Sequence, residues 1–148
     1  MDRFLEDIKI KIAEDKKKVA AKFNVEDLYI IELASKWIEI NVSNEKEFED
    51  KIQSLGRILN DRDFQEAVRI SNFELEQNND NANQIVELIR KIKTKESYKE
   101  DSKISGYKLL DKYEDPSTYK TDAFIVHVNI VKKMYSYLNE IIDREITL

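Results

Sequence analysis

Apolar residues recur at helical spacing along nearly the whole chain. Leu5, Ile8, Ile12, Val19 and Phe23 are separated by three, four, seven and four positions, which makes one stripe of a helix over about 2–23. Taken alone, Ile8-Lys9-Ile10-Lys11-Ile12 alternates as a strand does, but its Ala- and Lys-rich continuation favours helix. A second helix is predicted over about 25–41, opened by Asn24 as N-cap with Glu26 and Asp27 in the first turn, where the helix dipole favours acids. Leu28, Ile30, Ile31, Leu33, Ala34, Trp37, Ile38 and Ile40 make it apolar on several sides. That is the pattern of a central helix, and Trp37 is expected in the core.

Asn44-x-x-Glu47 has the form of a capping box and opens a third helix with Phe48, Ile52, Leu55 and Leu59 on one stripe. Asn60-Asp61-Arg62-Asp63 ends it and starts a fourth, with Phe64, Ala67, Val68, Ser71 and Leu75 inward. After a polar loop at 77–81, Asn81-x-x-Gln84 opens a fifth helix with Ile85, Leu88, Ile89 and Ile92 inward. Residues 93–103 show no apolar stripe and read as a loop or linker. A short amphipathic piece follows, carrying Ile104, Tyr107, Leu110 and Tyr113, and Asp115-Pro116 can cap and begin the last helix.

That last helix, about 117–146, has the longest pattern in the chain. Phe124, Val128, Val131, Tyr135, Leu138 and Ile142 form one heptad stripe, and His127, Ile130, Met134, Tyr137 and Ile141 form a second beside it. A strand over 124–131 is the competing reading, because that stretch is rich in β-branched and aromatic residues. The heptad runs on beyond it, which favours helix. A helix with two apolar sides needs cover on both, so a homodimer through the second stripe is an expectation as well.

Composition supports the helical reading. Two glycines and one proline among 148 residues leave a sheet fold short of turn residues, and they exclude a Gly-rich phosphate loop. Hydrophobic residues at 41% suffice for one core. The expected fold is therefore an all-α, single-domain helical bundle of five to seven helices with a long C-terminal helix, spanning 1–148.

Charge and rare residues narrow the function. The net charge of −5 argues against general binding to nucleic acid or to anionic membranes, both of which reward a positive face. No stretch approaches the apolar length of a membrane span, and the first residues carry acids where a secretory leader is basic. A cytoplasmic protein without membrane contact is expected. With no cysteine, there are no disulfides, thiolate metal sites or cysteine nucleophiles. The one histidine, His127, has no acid or nucleophile at helical spacing, so it reads as a core or interface residue. The Asn-rich stretch from Asn79 has Gln84 where a calcium loop needs Gly and Arg90 where it needs Glu. No metal, cofactor or enzymatic activity is expected.

Two features rise above this background. Arg90, Lys91, Lys93, Lys95, Lys99 and Lys103 form a basic run, inside a segment (82–104) that is locally positive. Tyr98, Tyr107, Tyr113 and Tyr119 place four of the seven tyrosines close together, and tyrosine is favoured at protein interfaces. Both also have a plain structural explanation, as a solvated helix end and as rings packed on the bundle. The expected function is stoichiometric, non-enzymatic binding to a macromolecule through these residues, most simply a protein, as in an inhibitor, an immunity-type protein or a small complex subunit. A nucleic-acid-associated module using the run 90–103 is the alternative.

Overall fold

In a computed structural model, residues 3–72, 79–110, 113 and 123–146 are described. The described chain is all-α, with seven helices: α1 (Arg3–Ala21), α2 (Val25–Asn41), α3 (Glu45–Leu59), α4 (Arg62–Ser71), α5 (Asn79–Thr94), α6 (Glu96–Ser105) and α7 (Ala123–Ile146). The helical bundle with a long last helix is thus the observed fold. The strand readings at 8–12 and 124–131 are both overturned, because each stretch lies inside a helix whose apolar stripe continues past it.

The capping signals act as their chemistry requires. Asn24 Oδ1 accepts from the Asp27 amide at 3.1 Å, and Asn44 Oδ1 accepts from the Glu47 amide at 2.9 Å. Asn44 Nδ2 donates to the Glu47 carboxylate at 3.3 Å. Asp61 Oδ1 accepts from the amides of Asp63 and Phe64, at 2.9 and 3.1 Å. The fifth helix begins earlier than expected, so Asn81 lies within it rather than capping it, and 79–81 are helical rather than loop. Leu75, Asp115 and Pro116 lie outside the described residues.

The contacts gather the chain into two compact units. The first comprises Met1–Ile52 with Lys132–Leu148, and the second Gln53–Val131. In the first unit, α1 packs along α2. Trp37 lies 5% exposed with its ring edge-on to Phe48 at 6.4 Å, and Phe4 meets Phe48 in the same manner at 5.7 Å. The Trp37 indole N–H is buried without a hydrogen-bond partner among the described residues. In the second unit, α4 packs on α5 and α5 on α6, around Phe64, Ile85, Ile89, Leu109, Leu110 and Phe124.

The turn between α1 and α2 departs from its expected place. Phe23 is expected on the inward stripe of the first helix, yet it is 89% exposed with φ 56°. The cause is the way α1 ends. The Asn24 amide donates to the Val19 carbonyl at 3.3 Å, and the Phe23 amide donates to the Ala20 carbonyl at 3.1 Å. These two bonds form a Schellman motif, which puts Phe23 in the left-handed position normally given to glycine. A side chain there costs about 1–2 kcal/mol. By contrast α6 ends on Gly106, which takes φ 68° without that cost.

The second stripe of α7 is largely covered by the chain itself. Met134 and Ile141 are fully buried, while His127, Ile130 and Tyr137 are half-buried. The reason for a homodimer through that stripe is therefore gone. Ile40, expected on a helix apolar nearly all round, is 70% exposed.

Candidate partner-binding surface

The segment 93–103 is not a linker. α5 runs to Thr94, one residue intervenes, and α6 begins at Glu96. Lys95 sits at this junction in extended geometry (φ −70°, ψ 134°), and its side chain makes no capping bond to α6. The inner face of α6 is Tyr98, Asp101 and Ser105, at helical spacing but mostly polar, so it left no apolar stripe to read. Asp101 is satisfied by Arg57 of α3. The guanidinium Nε and Nη2 donate to Asp101 Oδ1 at 3.0 and 2.8 Å, and Nη2 also donates to the Ser54 hydroxyl at 2.9 Å.

The basic run is divided between two faces: Lys91 and Lys93 are two positions apart on α5 and do not share a side, and the chain breaks at Lys95 before α6 begins. On one face Lys95 Nζ lies 2.6 Å from Asp63 Oδ2 and 3.1 Å from Asp61 Oδ2, and Lys91 Nζ lies 3.5 Å from Asp63 Oδ1. The hydrogen bond from Lys95 holds the Asp63 carboxyl below its ordinary pKa, and the same bond raises the Lys95 ammonium. These two lysines are engaged inside the chain, against their expected role toward a partner.

The other face is different. Lys93, Lys99 and Lys103 line an open hollow of about 730 Å³ together with Lys108, Ser102 and the edge of Tyr98. No acid lines it. Lys99 lies 3.9 Å from the Glu96 carboxylate, which is almost fully solvated, so that contact is weak. Arg90 is exposed on α5 but is not among the lining residues. Lys108 is not legible in the sequence as part of this surface, because the basic run ends at Lys103. Its signal was Gly106, the left-handed residue at the end of α6, since Lys108 lines the hollow just beyond it.

Two of the tyrosines, Tyr98 and Tyr113, do not form the surface expected of them. Tyr98 is 6% exposed, and its hydroxyl accepts from the Leu110 amide at 3.3 Å. Tyr113 is 2% exposed and stands edge-on to Phe124, ring centroids 5.0 Å apart. Both are packing residues, because each finds a buried partner for its polar end. Tyr107 is half-buried, and Tyr119 lies outside the described residues.

His127 is isolated along its own helix but not in space. Tyr113 Oη lies 2.6 Å from Nδ1, and Tyr107 Oη lies 3.0 Å from Nε2. A neutral imidazole has one donor and one acceptor nitrogen, so one hydroxyl accepts and the other donates. Burial, together with the nearby Tyr107, pushes the Tyr113 phenol up to about 12. That keeps the phenol protonated, the opposite of what a nucleophile or general base requires. The cluster fastens the segment after α6 to α7. Among the described residues, no group of three or more His, Asp or Glu side chains is placed to hold a metal ion, and no helix is long and apolar enough to cross a membrane.

Comparison with protein families, with characterised proteins and with solved structures finds no match to this chain.

Proposed function

We propose that the chain is a non-enzymatic interaction protein of the cytoplasm that binds an acidic segment of a protein partner stoichiometrically. Its action would be occlusion or bridging, as in an inhibitor, an immunity-type protein or a small complex subunit. The observation that carries this reading is that Lys99, Lys103 and Lys108 line one open hollow with no acid among its described lining residues, in a chain of net charge −5. A local reversal of sign on an acidic protein steers anionic groups to one place. An acidic peptide suits the hollow better than nucleic acid does. Single-stranded nucleic acid gains much of its affinity by stacking on exposed aromatic rings, and Tyr98 and Tyr113 are buried.

The test is fluorescence anisotropy with a labelled Glu/Asp-rich peptide and a labelled single-stranded oligonucleotide of equal charge. The peptide is expected to bind the wild-type chain. The double variant Lys99→Glu, Lys103→Glu is expected to weaken binding at least about tenfold with an unchanged melting temperature, since both residues are exposed. Tighter binding of the oligonucleotide, with a steep loss of affinity on adding salt, would sink the protein-partner reading in favour of nucleic acid.

A further inference from the structure

We infer that His127 is the positioning residue of the lysine hollow: through the two phenols bonded to it, His127 fixes the short stretch that carries Lys108 to the hollow. This deepens the reading of the hollow as an acidic-peptide site and rests on it. All the residues involved belong to the second compact unit.

Two kinds of residue line the hollow. Lys93, Lys99, Ser102 and Lys103 belong to α5 and α6, whose backbone ladders fix their places. Lys108 belongs to the stretch that leaves α6 at the left-handed Gly106, and neither Tyr107 nor Lys108 lies in a regular element. With no ladder to set it, such a stretch takes its place from side-chain bonds and packing. Leu109 and Leu110 are fully buried and hold the stretch down, but apolar contact is non-directional.

Directed bonds stand on both sides of Lys108. Before it, the Tyr107 hydroxyl lies 3.0 Å from His127 Nε2. After it, the Leu110 amide donates to the Tyr98 hydroxyl at 3.3 Å, and the Tyr113 hydroxyl lies 2.6 Å from His127 Nδ1. Tyr98 itself lines the hollow, so the stretch is tied to the hollow at one point and to α7 at two. Adjacent Cα atoms are about 3.8 Å apart, so an anchored Tyr107 leaves the Lys108 backbone little freedom. An imidazole suits the task because its two nitrogens meet two hydroxyls at once, one as donor and one as acceptor. Phenylalanine at the same place would keep a ring and lose both bonds.

The test repeats the anisotropy titration with the Glu/Asp-rich peptide on Lys108→Ala, His127→Phe, Tyr107→Phe and the double variants that add Lys108→Ala to each of the last two. Melting temperature is the folding control, and Tyr107→Phe, which removes one hydroxyl from a half-buried ring, serves should His127→Phe not fold. Lys108→Ala should weaken peptide binding about two- to fivefold, the worth of one exposed charge pair. His127→Phe and Tyr107→Phe should each reproduce part of that loss, and should add nothing once Lys108→Ala is present, because they act through that lysine. No loss in either, or a loss that adds in full to that of Lys108→Ala, would overturn the inference and leave the cluster a merely structural role. Amide hydrogen exchange reads the stretch without any peptide: Leu110 should exchange at least about tenfold faster in both variants, with α4 and α5 at wild-type rates. Unchanged exchange at Leu110, or faster exchange throughout α4 and α5, would overturn the inference whether or not the peptide binds. A wild type that takes up no peptide would overturn the acidic-peptide reading instead, and exchange at Leu110 would still decide whether His127 positions the stretch.

Discussion

The two compact units solve the problem of a stable interior differently. Among the described residues, Ser54, Ser71, Asp101 and Ser105 are the buried polar or charged residues, and all four belong to Gln53–Val131. That unit is tied by directed bonds: Arg57 to Asp101, Tyr98 to the Leu110 amide, and His127 between two phenols. The other unit has an interior of aliphatic and aromatic contacts, and the Trp37 indole N–H goes without a partner there. Its bonds between side chains of different elements, such as Tyr137 to Asp15 and Lys16 to Glu32, involve half-buried or exposed groups. An apolar interior tolerates small adjustments, whereas a polar one fixes a particular arrangement but suffers when a single partner is removed.

The largest expected effect probes the apolar unit. Trp37→Ala should cost about 3–5 kcal/mol in urea unfolding, the range for deleting a large buried aromatic. A loss under about 1 kcal/mol would mean that this interior does not rest on the Trp37–Phe48 contact. Next comes the polar unit. Arg57→Met strands the Asp101 carboxylate and should cost about 1.5–3 kcal/mol, much of it recovered when Asp101→Leu is added. No recovery in the double variant would show that the pair is not the tie it is taken for.

The smallest expected effect concerns acid. The folded pKa of Asp63 is lowered by Lys95, so its contribution to stability is full above the unfolded carboxylate value and is lost as pH falls through the folded one. The Lys95 ammonium is raised, so its share is full at neutral pH and lost only when strong alkali passes the folded value. Thermal melts should therefore show wild type losing stability below about pH 4 more steeply than Asp63→Asn, with the two curves parallel near neutrality. Identical acid limbs would show that the aspartate–lysine clamp contributes nothing measurable.

The same contrast explains what could be read from the sequence. Helices whose inner face is apolar are legible: α2, expected over about 25–41, runs Val25–Asn41, and the Asn24 and Asn44 caps are where the sequence puts them, while Asn60–Asp63 marks the start of α4 without singling out Asp61 as its cap. Helix α6 is not, because Tyr98, Asp101 and Ser105 turn inward only once Arg57, forty-four positions before Asp101, supplies the missing charge. The lysine run was legible as composition but not as a surface. Which lysines meet Asp61 and Asp63 depends on how α4 packs on α5, and that packing is not visible in spacing. Phe23 failed for a local reason: a stripe gives no warning that the helix stops two residues short of its last apolar member.

The placement of Trp37 makes the chain its own reporter. It is the only tryptophan in the sequence, it belongs to the first unit, and it is buried against Phe48 with no hydrogen-bond partner for its indole N–H among the described residues. Native emission should therefore lie far to the blue, and its shift to the red on heating registers the melting of that one interior. Ellipticity at the helix band registers all seven helices together. Recorded on one sample, the two signals coincide if the apolar and polar interiors melt as one cooperative body and separate if they do not, so an unlabelled chain reports on its own cooperativity.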